Sequence, residues 1–264
     1  MKITQGNYIT VEEYNPYFSN VTAMLLEHFD REELKDTSII MGSYCREPIS
    51  VIKLRHPNKR IIVYQLEQLV DGTTWWPTHQ SIKNMQGADE IWEYDFLNQY
   101  YLDAYYKISS KLVPLRYTTA LDRKWNDQED IDVLFYGFIN QRRARIIERL
   151  QIQLYPLGVG HVKVVFLFGF QDGLDDYIKR SKIILNIHAF EPYHRQEVVR
   201  MFYPIINGKC VLSETSQWNN LEGMIVESDP LNLASKIDGL LKDDNYKTFG
   251  MQARERFKEI KNLW

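Results

Sequence analysis

The sequence predicts an α/β protein built from two Rossmann-like halves, each a mostly parallel sheet flanked by helices. Three observations carry that prediction. Short apolar runs such as Ile61 to Leu66, Ile131 to Tyr136, Val162 to Phe168 and Ile183 to Ile187 have the length and near-continuous hydrophobicity of strands buried on both faces. The segments between them repeat apolar residues at helical spacing, the alternation that builds βαβ units. A polar stretch, Tyr117 to Asp130, separates two such series. Few contacts cross a linker of that composition, so the expected domains are 1–122 and 123–264, with the last helix free to cross back to the first domain, and a cleft between the two halves.

In the first half, Tyr17 to Phe29 places Val21, Met24, Leu25 and Phe29 on one side of a helix that starts after Asn15-Pro16. Ser38 to Met41 is a strand closed by Gly42-Ser43. A basic segment with Lys53, Arg55, His56, Lys59 and Arg60 leads into the strand Ile61 to Leu66, and Glu67 sits at its end. The stretch DGTTWWP, Asp71 to Pro77, is a loop carrying Trp75 and Trp76. A short helix from His79 to Met85, a strand from Glu90 to Tyr94 and an aromatic-rich helix from Phe96 to Lys107 follow, before Leu112-Val113 and Pro114.

The second half restarts with the strand Ile131 to Tyr136 and the turn Gly137-Phe138-Ile139-Asn140. Arg142 to Leu154 is a helix through Ile146, Ile147 and Leu150. Val162 to Phe168 is a strand, Leu174 to Ser181 a helix, and Ile183 to Ile187 a strand of the kind buried on both faces. Gln196 to Asn207 is a helix by the spacing of Val198, Val199, Met201, Phe202, Ile205 and Ile206, and Gly208 stops it before the strand Lys209 to Ser213. Met224 to Val226, Asn232 to Leu241 and Tyr246 to Trp264 complete the series as strand, helix and helix.

Composition narrows the function classes. With 44% hydrophobic and 25% charged residues, 264 residues build packed cores rather than a disordered chain. A net charge of -3 excludes a protein that coats nucleic acid by bulk charge and leaves only a local basic groove for such a role. Cys45 and Cys210 form neither a C-x-x-C pair nor a zinc spacing, which points to a reducing compartment. The start of the chain lacks a signal-peptide core, and no run reaches the ~18 apolar residues of a membrane span. A soluble, cytoplasmic protein without membrane contact is therefore expected.

Chemistry-bearing residues gather where strands end and helices begin, the edge at which open α/β sheets bind ligands. Gly137 permits a tight turn and close backbone approach, and the helix after Asn140 offers free N–H groups, with Arg142 and Arg143 in its first turn. After the strand Ile183 to Ile187 come His188, Glu191, His194 and Arg195. Glu197 and Arg200 share a helix face, where a carboxylate can accept both hydroxyls of a ribose and a guanidinium can hold phosphate by two hydrogen bonds. An intrahelical ion pair without function, and solvated surface charge for Arg142 and Arg143, are the plainer readings.

The segments IDVLFYGFINQRR and LDDYIKRSKIILNIHAFEPYHRQEVVRMFYPIINGKCVLSE resemble the nucleotide-sugar-binding half of GT-B glycosyltransferases, particularly the short ones of large viruses and bacteriophages. RIIVYQLEQL and ADEIWEYDFLN are similar to parts of their acceptor domain, so the resemblance runs from about Ser38 to Glu214. It implies a GT-B fold and a transfer, inverting and without metal or cofactor, from a nucleotide-diphosphate sugar, UDP favoured, to a hydroxyl. It implies that Glu197 binds the donor ribose, that Arg200, Arg142 and Arg143 neutralise the diphosphate, and that Gly137, Asn140, His188 and Ser213-Glu214 line the donor pocket. The family's Glu-x7-Glu signature is shortened here to Glu191 and Glu197. Without a metal, arginines and helix N-termini would stabilise the leaving group. A base would come from the first half: Glu67 first, then Asp95, then Asp71. Two acceptors stay open. One is 5-hydroxymethylcytosine in double-stranded phage DNA, met by Lys53, Arg55, Trp75 and Trp76; the other is a glycan or lipid-linked sugar stacked on the tryptophans. A nucleotide-binding module without transfer is the reading outside enzymology.

Overall fold

The computed structural model describes residues 2–5, 9–13, 18–30, 32–43, 47–69, 79–123, 125, 128–155, 162–168, 173–191 and 195–260. Cys45, Asp71, Trp75, Trp76 and His194 lie outside them. The chain divides into two compact units, Met1–Ala120 and Leu121–Leu263.

The first unit runs β1 (Lys2–Gln5), β2 (Ile9–Glu13), α1 (Ser19–His28), β3 (Thr37–Met41), α2 (Ile49–Arg55), β4 (Arg60–Gln65), α3 (His79–Gly87), β5 (Glu90–Glu93), α4 (Phe96–Tyr106) and β6 (Lys111–Leu112). Its sheet follows chain order, with β1 antiparallel and the other strands parallel. Ile39, Ile40, Ile61, Ile62 and Val63 are wholly buried, as strands covered on both faces require. Ile40, Ile61, Val63 and Ile91 pack with Ile49 and Ile52 of α2, Ile82 and Met85 of α3, and Leu102 of α4. The strands β1 and β2 and the helix α2 are additions to the sequence reading.

The second unit runs β7 (Ile131–Gly137), α5 (Gln141–Leu154), β8 (Val164–Phe168), α6 (Leu174–Arg180), β9 (Ser181–Asn186), α7 (Val198–Ile206), β10 (Cys210–Glu214), β11 (Val226–Ser228), α8 (Leu233–Leu241) and α9 (Asn245–Glu259). All five strands are parallel, in the order β11-β10-β9-β7-β8. Val133, Phe135, Ile183, Leu185 and Leu212 meet Ile147, Leu150 and Leu154 of α5 and Ile237 of α8. The last helix docks within this unit: Gly250 lies so close to the chain after α7 that an added Cβ would stand 2.1 Å from the Gly208 carbonyl oxygen. Among the described residues no helix is long and apolar enough to cross a membrane.

The strand order fixes where a ligand can enter. From β7 the chain crosses by α5 to β8 on one side, and later passes from β9 by α7 to β10 on the other. The two connections leave adjacent strands β7 and β9 in opposite directions. A crevice opens between such connections at the carboxyl ends of the strands.

Candidate functional site

At that edge, β7 ends on Gly137 with φ +132°, a conformation that favours glycine. A Cβ there would lie 3.3 Å from an Arg200 Nη, so the missing side chain makes room for a guanidinium of the protein itself. Asn140 then caps α5: its Oδ1 accepts the Arg143 N–H at 2.9 Å, and its Nδ2 donates to the Ala189 carbonyl.

Arg142 and Arg143 are neighbours with different places, because adjacent helical residues point about 100° apart. Arg143 is 1% exposed. Its Nε donates to the Ile187 carbonyl (2.8 Å), Nη1 to the Phe138 carbonyl (2.8 Å) and Nη2 to Glu197 Oε1 (3.2 Å). It thus ties the chain leaving β7 to the chain leaving β9. Arg142 turns to the other carboxylates, donating to both oxygens of Glu214 (2.9 Å to Oε2), to Glu191 (3.0 and 3.1 Å) and to the His188 carbonyl (2.7 Å). The His188 N–H donates to Glu214 Oε2 at 3.0 Å, which fixes that carboxylate against β9.

Glu197 stands just before α7 and faces three cationic or titratable groups: Arg143 at 3.2 Å, Arg200 Nη1 at 3.4 Å and His188 Nδ1 at 3.5 Å. Burial pushes its carboxyl up, but the Arg200 charge, the His188 ring and the Arg143 charge outweigh burial and hold it well below the usual carboxylate range. Arg200 also donates to Asn186 Oδ1 (3.0 Å), and its carbonyl accepts the Tyr136 hydroxyl (2.8 Å). Ser213, wholly buried on β10, accepts from Asn186 Nδ2 at 3.0 Å and donates to Gln196 Oε1 at 2.6 Å. Gln196 Nε2 reaches the Glu214 carbonyl at 3.0 Å and Glu227 Oε1 at 2.7 Å.

Gly137, Asn140, Arg142, Arg143, His188, Glu197, Arg200 and Ser213 are therefore gathered at one strand edge. They are not equivalent. Arg143 and Ser213 have their polar atoms turned to the protein and support the edge; Arg142, with a side chain 18% exposed, and Glu191, 78% exposed, reach solvent. Sequence reasoning passed over Asn186 and Gln196, whose buried amides join the two carboxylate networks. The one Asp-x-Asp of the chain, Asp130 and Asp132, lies at the opposite end of β7 in ion pairs with Lys163, Arg180 and Lys182.

The residues expected to meet an acceptor have a different surrounding. Lys53 pairs with Asp89 at 2.6 Å, and Arg55 with Glu12 at 2.9 Å and Glu47 at 2.5 Å. Arg60 lies 3.5 Å from Glu90. Lys53, Arg55 and Arg60 are thus compensated by carboxylates; Lys53 and Arg55 lie on α2, His56 and Lys59 in the turn after it, and Arg60 at the start of β4. Glu67 is exposed at the end of β4, and its carbonyl accepts Gln65 Nε2 (2.9 Å) and Asn98 Nδ2 (2.8 Å). Asp95 caps α4, its Oδ1 accepting the N–H groups of Leu97 (3.0 Å) and Asn98 (3.1 Å).

The two-unit α/β architecture is the GT-B fold. Solved structures share it: TarM, at a TM-score of 0.52 and 12% identity over 90% of this chain and 53% of that one; a variant of S. aureus TarM in complex with fondaparinux, α-GlcNAc-glycerol and UDP, at 0.54 and 10% over 90% and 54%; and the Candida albicans trehalose-6-phosphate phosphatase N-terminal domain, at 0.54 and 10% over 88% and 68%. The chain spans about half the length of the TarM structures. No protein-family model and no curated protein matches the sequence.

Proposed function

We propose that the chain is a glycosyltransferase that moves a sugar from a UDP-sugar to a hydroxyl acceptor, with the donor held by the second unit. The observation that carries this reading is the strand-switch edge itself, where Arg200 fills the space over Gly137 and Glu197 is kept ionised beside it. An ionised carboxylate next to a guanidinium suits a ribose diphosphate: the carboxylate accepts the ribose hydroxyls, while arginine donates to phosphate. The likeness to a TarM variant crystallised with UDP supports the choice of nucleotide.

In the proposed reaction the acceptor oxygen attacks the anomeric carbon, the bond from that carbon to the diphosphate oxygen breaks, and the acceptor proton passes to a carboxylate. Arg142 and Arg200 offset the charge that develops on the departing diphosphate. Glu67 is the proposed base, since the residue is exposed, whereas Asp95 is buried as a helix cap. For the acceptor, hydroxymethylated DNA rests on the sequence resemblance alone. The compensated charges of Lys53 and Arg55 remove one argument for it, which leaves a sugar hydroxyl as the favoured acceptor.

Thermal unfolding in the presence of a panel of nucleotide sugars tests the reading. A donor at 100 times its dissociation constant adds about 2.7 kcal/mol of stability. The proposal fails if no nucleotide sugar raises the melting temperature. Transfer to glycan acceptors, to hydroxymethylated DNA and to unmodified DNA then separates the acceptor classes.

A further inference from the structure

The chain that leaves β4 carries the proposed base on four residues, Leu66 to Leu69, that belong to neither strand nor helix. Leu66, Gln68 and Leu69 are buried, and Glu67 alone of the four is exposed. A buried segment outside regular structure must find partners for its peptide groups elsewhere. Two buried side-chain amides supply them. Gln65 Oε1 accepts the Leu66 N–H at 3.1 Å, and Gln65 Nε2 donates to the Glu67 carbonyl at 2.9 Å. Asn98, in the first turn of α4, donates to the same carbonyl from Nδ2 at 2.8 Å and accepts the Leu69 N–H on Oδ1 at 2.8 Å. One amide thus spans the two peptide groups that follow Glu67.

Asn98 is fixed in its turn. Its Nδ2 also donates to Glu93 Oε1 at 2.9 Å, an oxygen that accepts the Tyr94 N–H at 3.0 Å as well. That acceptor sets which way the amide lies: Nδ2 faces Glu93, and Oδ1 faces Leu69. The Asn98 N–H donates to Asp95 Oδ1 at 3.1 Å, which holds the backbone from which the amide projects. Gln65, Glu93 and Asn98 are all wholly buried, at a cost in solvation that an apolar core would not incur. What they hold in common is the segment that carries Glu67.

We propose that Asn98, its amide oriented by Glu93, is a positioning residue for Glu67. It fixes the peptide groups after Glu67 and with them the direction in which the exposed side chain leaves the chain. This inference rests on the reading of Glu67 as the base of the proposed transfer. Misplacing a reacting group by about 1 Å costs on the order of 10²-fold in rate, so the clamp acts on the chemical step and not on donor affinity.

Steady-state kinetics and UDP titration of wild type, Asn98→Ala, Asn98→Ser, Glu67→Gln and the double variant Glu67→Gln/Asn98→Ala test it. UDP-glucose, UDP-galactose and UDP-N-acetylglucosamine serve as donors, and glycans or hydroxymethylated DNA as acceptors. Urea unfolding gives the folded fraction to which each rate is referred, and Asn98→Ser, which keeps a polar group in the site, carries the comparison where alanine does not fold. An Asn98 variant should lower kcat about tenfold to a hundredfold, with donor KM and UDP affinity within about twofold of wild type. In the Glu67→Gln background the same substitution should slow transfer no further, because the position of an absent base has no effect. A kcat within about twofold of wild type in the Asn98 variants, or the full loss repeated on top of Glu67→Gln, overturns the positioning role and leaves the transferase reading standing. An unchanged rate in Glu67→Gln overturns the base and the positioning role together. Wild type that releases no UDP from any donor with any acceptor overturns the transferase reading as well. Hydrogen exchange adds a test that needs no variant: a wild-type Leu69 amide exchanging as fast as an exposed one overturns the clamp.

Discussion

Replacing Glu197 by alanine probes whether the strand-switch edge is a buried charge network or a surface ion pair on a helix. The side chain is 13% exposed and stands 3.2 Å from Arg143, whose own side chain is 2% exposed. Its removal takes from Arg143 the carboxylate 3.2 Å away and from Arg200 the one 3.4 Å away. Breaking a buried pair by deleting one partner costs about 3–5 kcal/mol, whereas an exposed pair three residues apart on a helix is worth roughly 0.2–0.5 kcal/mol. The two outcomes differ by an order of magnitude and are resolved by urea unfolding followed by circular dichroism, provided the slope with denaturant is unchanged. A loss below about 0.5 kcal/mol would refute the network. A pH series sharpens the test. The folded carboxyl is held below its ordinary value of 4.5, so its contribution is complete above the unfolded value and is lost as pH falls below it, when the unfolded chain alone takes up the proton. The stability gap between wild type and Glu197→Gln should therefore be constant from about pH 6 to 8 and shrink from pH 4.5 downward.

The other predictions concern neighbouring residues. Gly137→Ala puts a side chain at φ +132° and 3.3 Å from the Arg200 guanidinium; a loss of about 1–3 kcal/mol in unfolding and weaker UDP binding by titration are expected. Glu67→Gln should leave UDP affinity unchanged and lower acceptor-dependent UDP release about 10²–10⁴-fold, and an unchanged rate removes Glu67 as the base. Asp95→Ala removes a cap made to two N–H groups and should lower stability by about 1 kcal/mol, with transfer reduced no more than folding accounts for. Glu191→Gln frees Arg142 from an exposed carboxylate; since such a pair is worth at most about 1 kcal/mol, UDP should bind up to about fivefold more tightly, and weaker binding would mean that Glu191 itself holds the donor.

What the sequence disclosed and what it hid follow from how far apart the partners lie. Strands β3 to β5 and β7 to β10 are written as local apolar runs, and the helices between them as local periodicity, so a window of a dozen residues suffices. Strand β2 is different. It buries Glu12 completely, and a charged residue in a short segment reads as surface until its partners Arg55 and His56, more than forty positions later, are known. Helix α2 has only seven residues, of which Ile49 and Ile52 are buried, too few for a period to stand out beside its basic end. The same limit governs the site. Gly137, Asn140 and Glu197 were legible because a strand end, a cap and a helix start are local signals, but the sequence could not separate Arg142 from Arg143.

That separation decides how the edge can exchange an internal anion for an external one. Among the described residues Arg142, Arg143 and Arg200 pair with Glu191, Glu197 and Glu214, so a diphosphate bound as proposed would displace a carboxylate from one of them. Arg143 is buried, and its donors tie the chain leaving β7 to the chain leaving β9. Glu197 is fixed by the same cations that hold its carboxyl below the usual carboxylate range. Among the described residues of this edge, only the Arg142–Glu191 pair joins a partly exposed guanidinium to a mostly exposed carboxylate, and an exposed pair is cheap to break. Glu214 meanwhile keeps both oxygens on Arg142 and holds the guanidinium plane in place while its other donors change partner. Arg142, partly exposed, and Arg143, buried, thus have different places at one edge although they are neighbours in sequence.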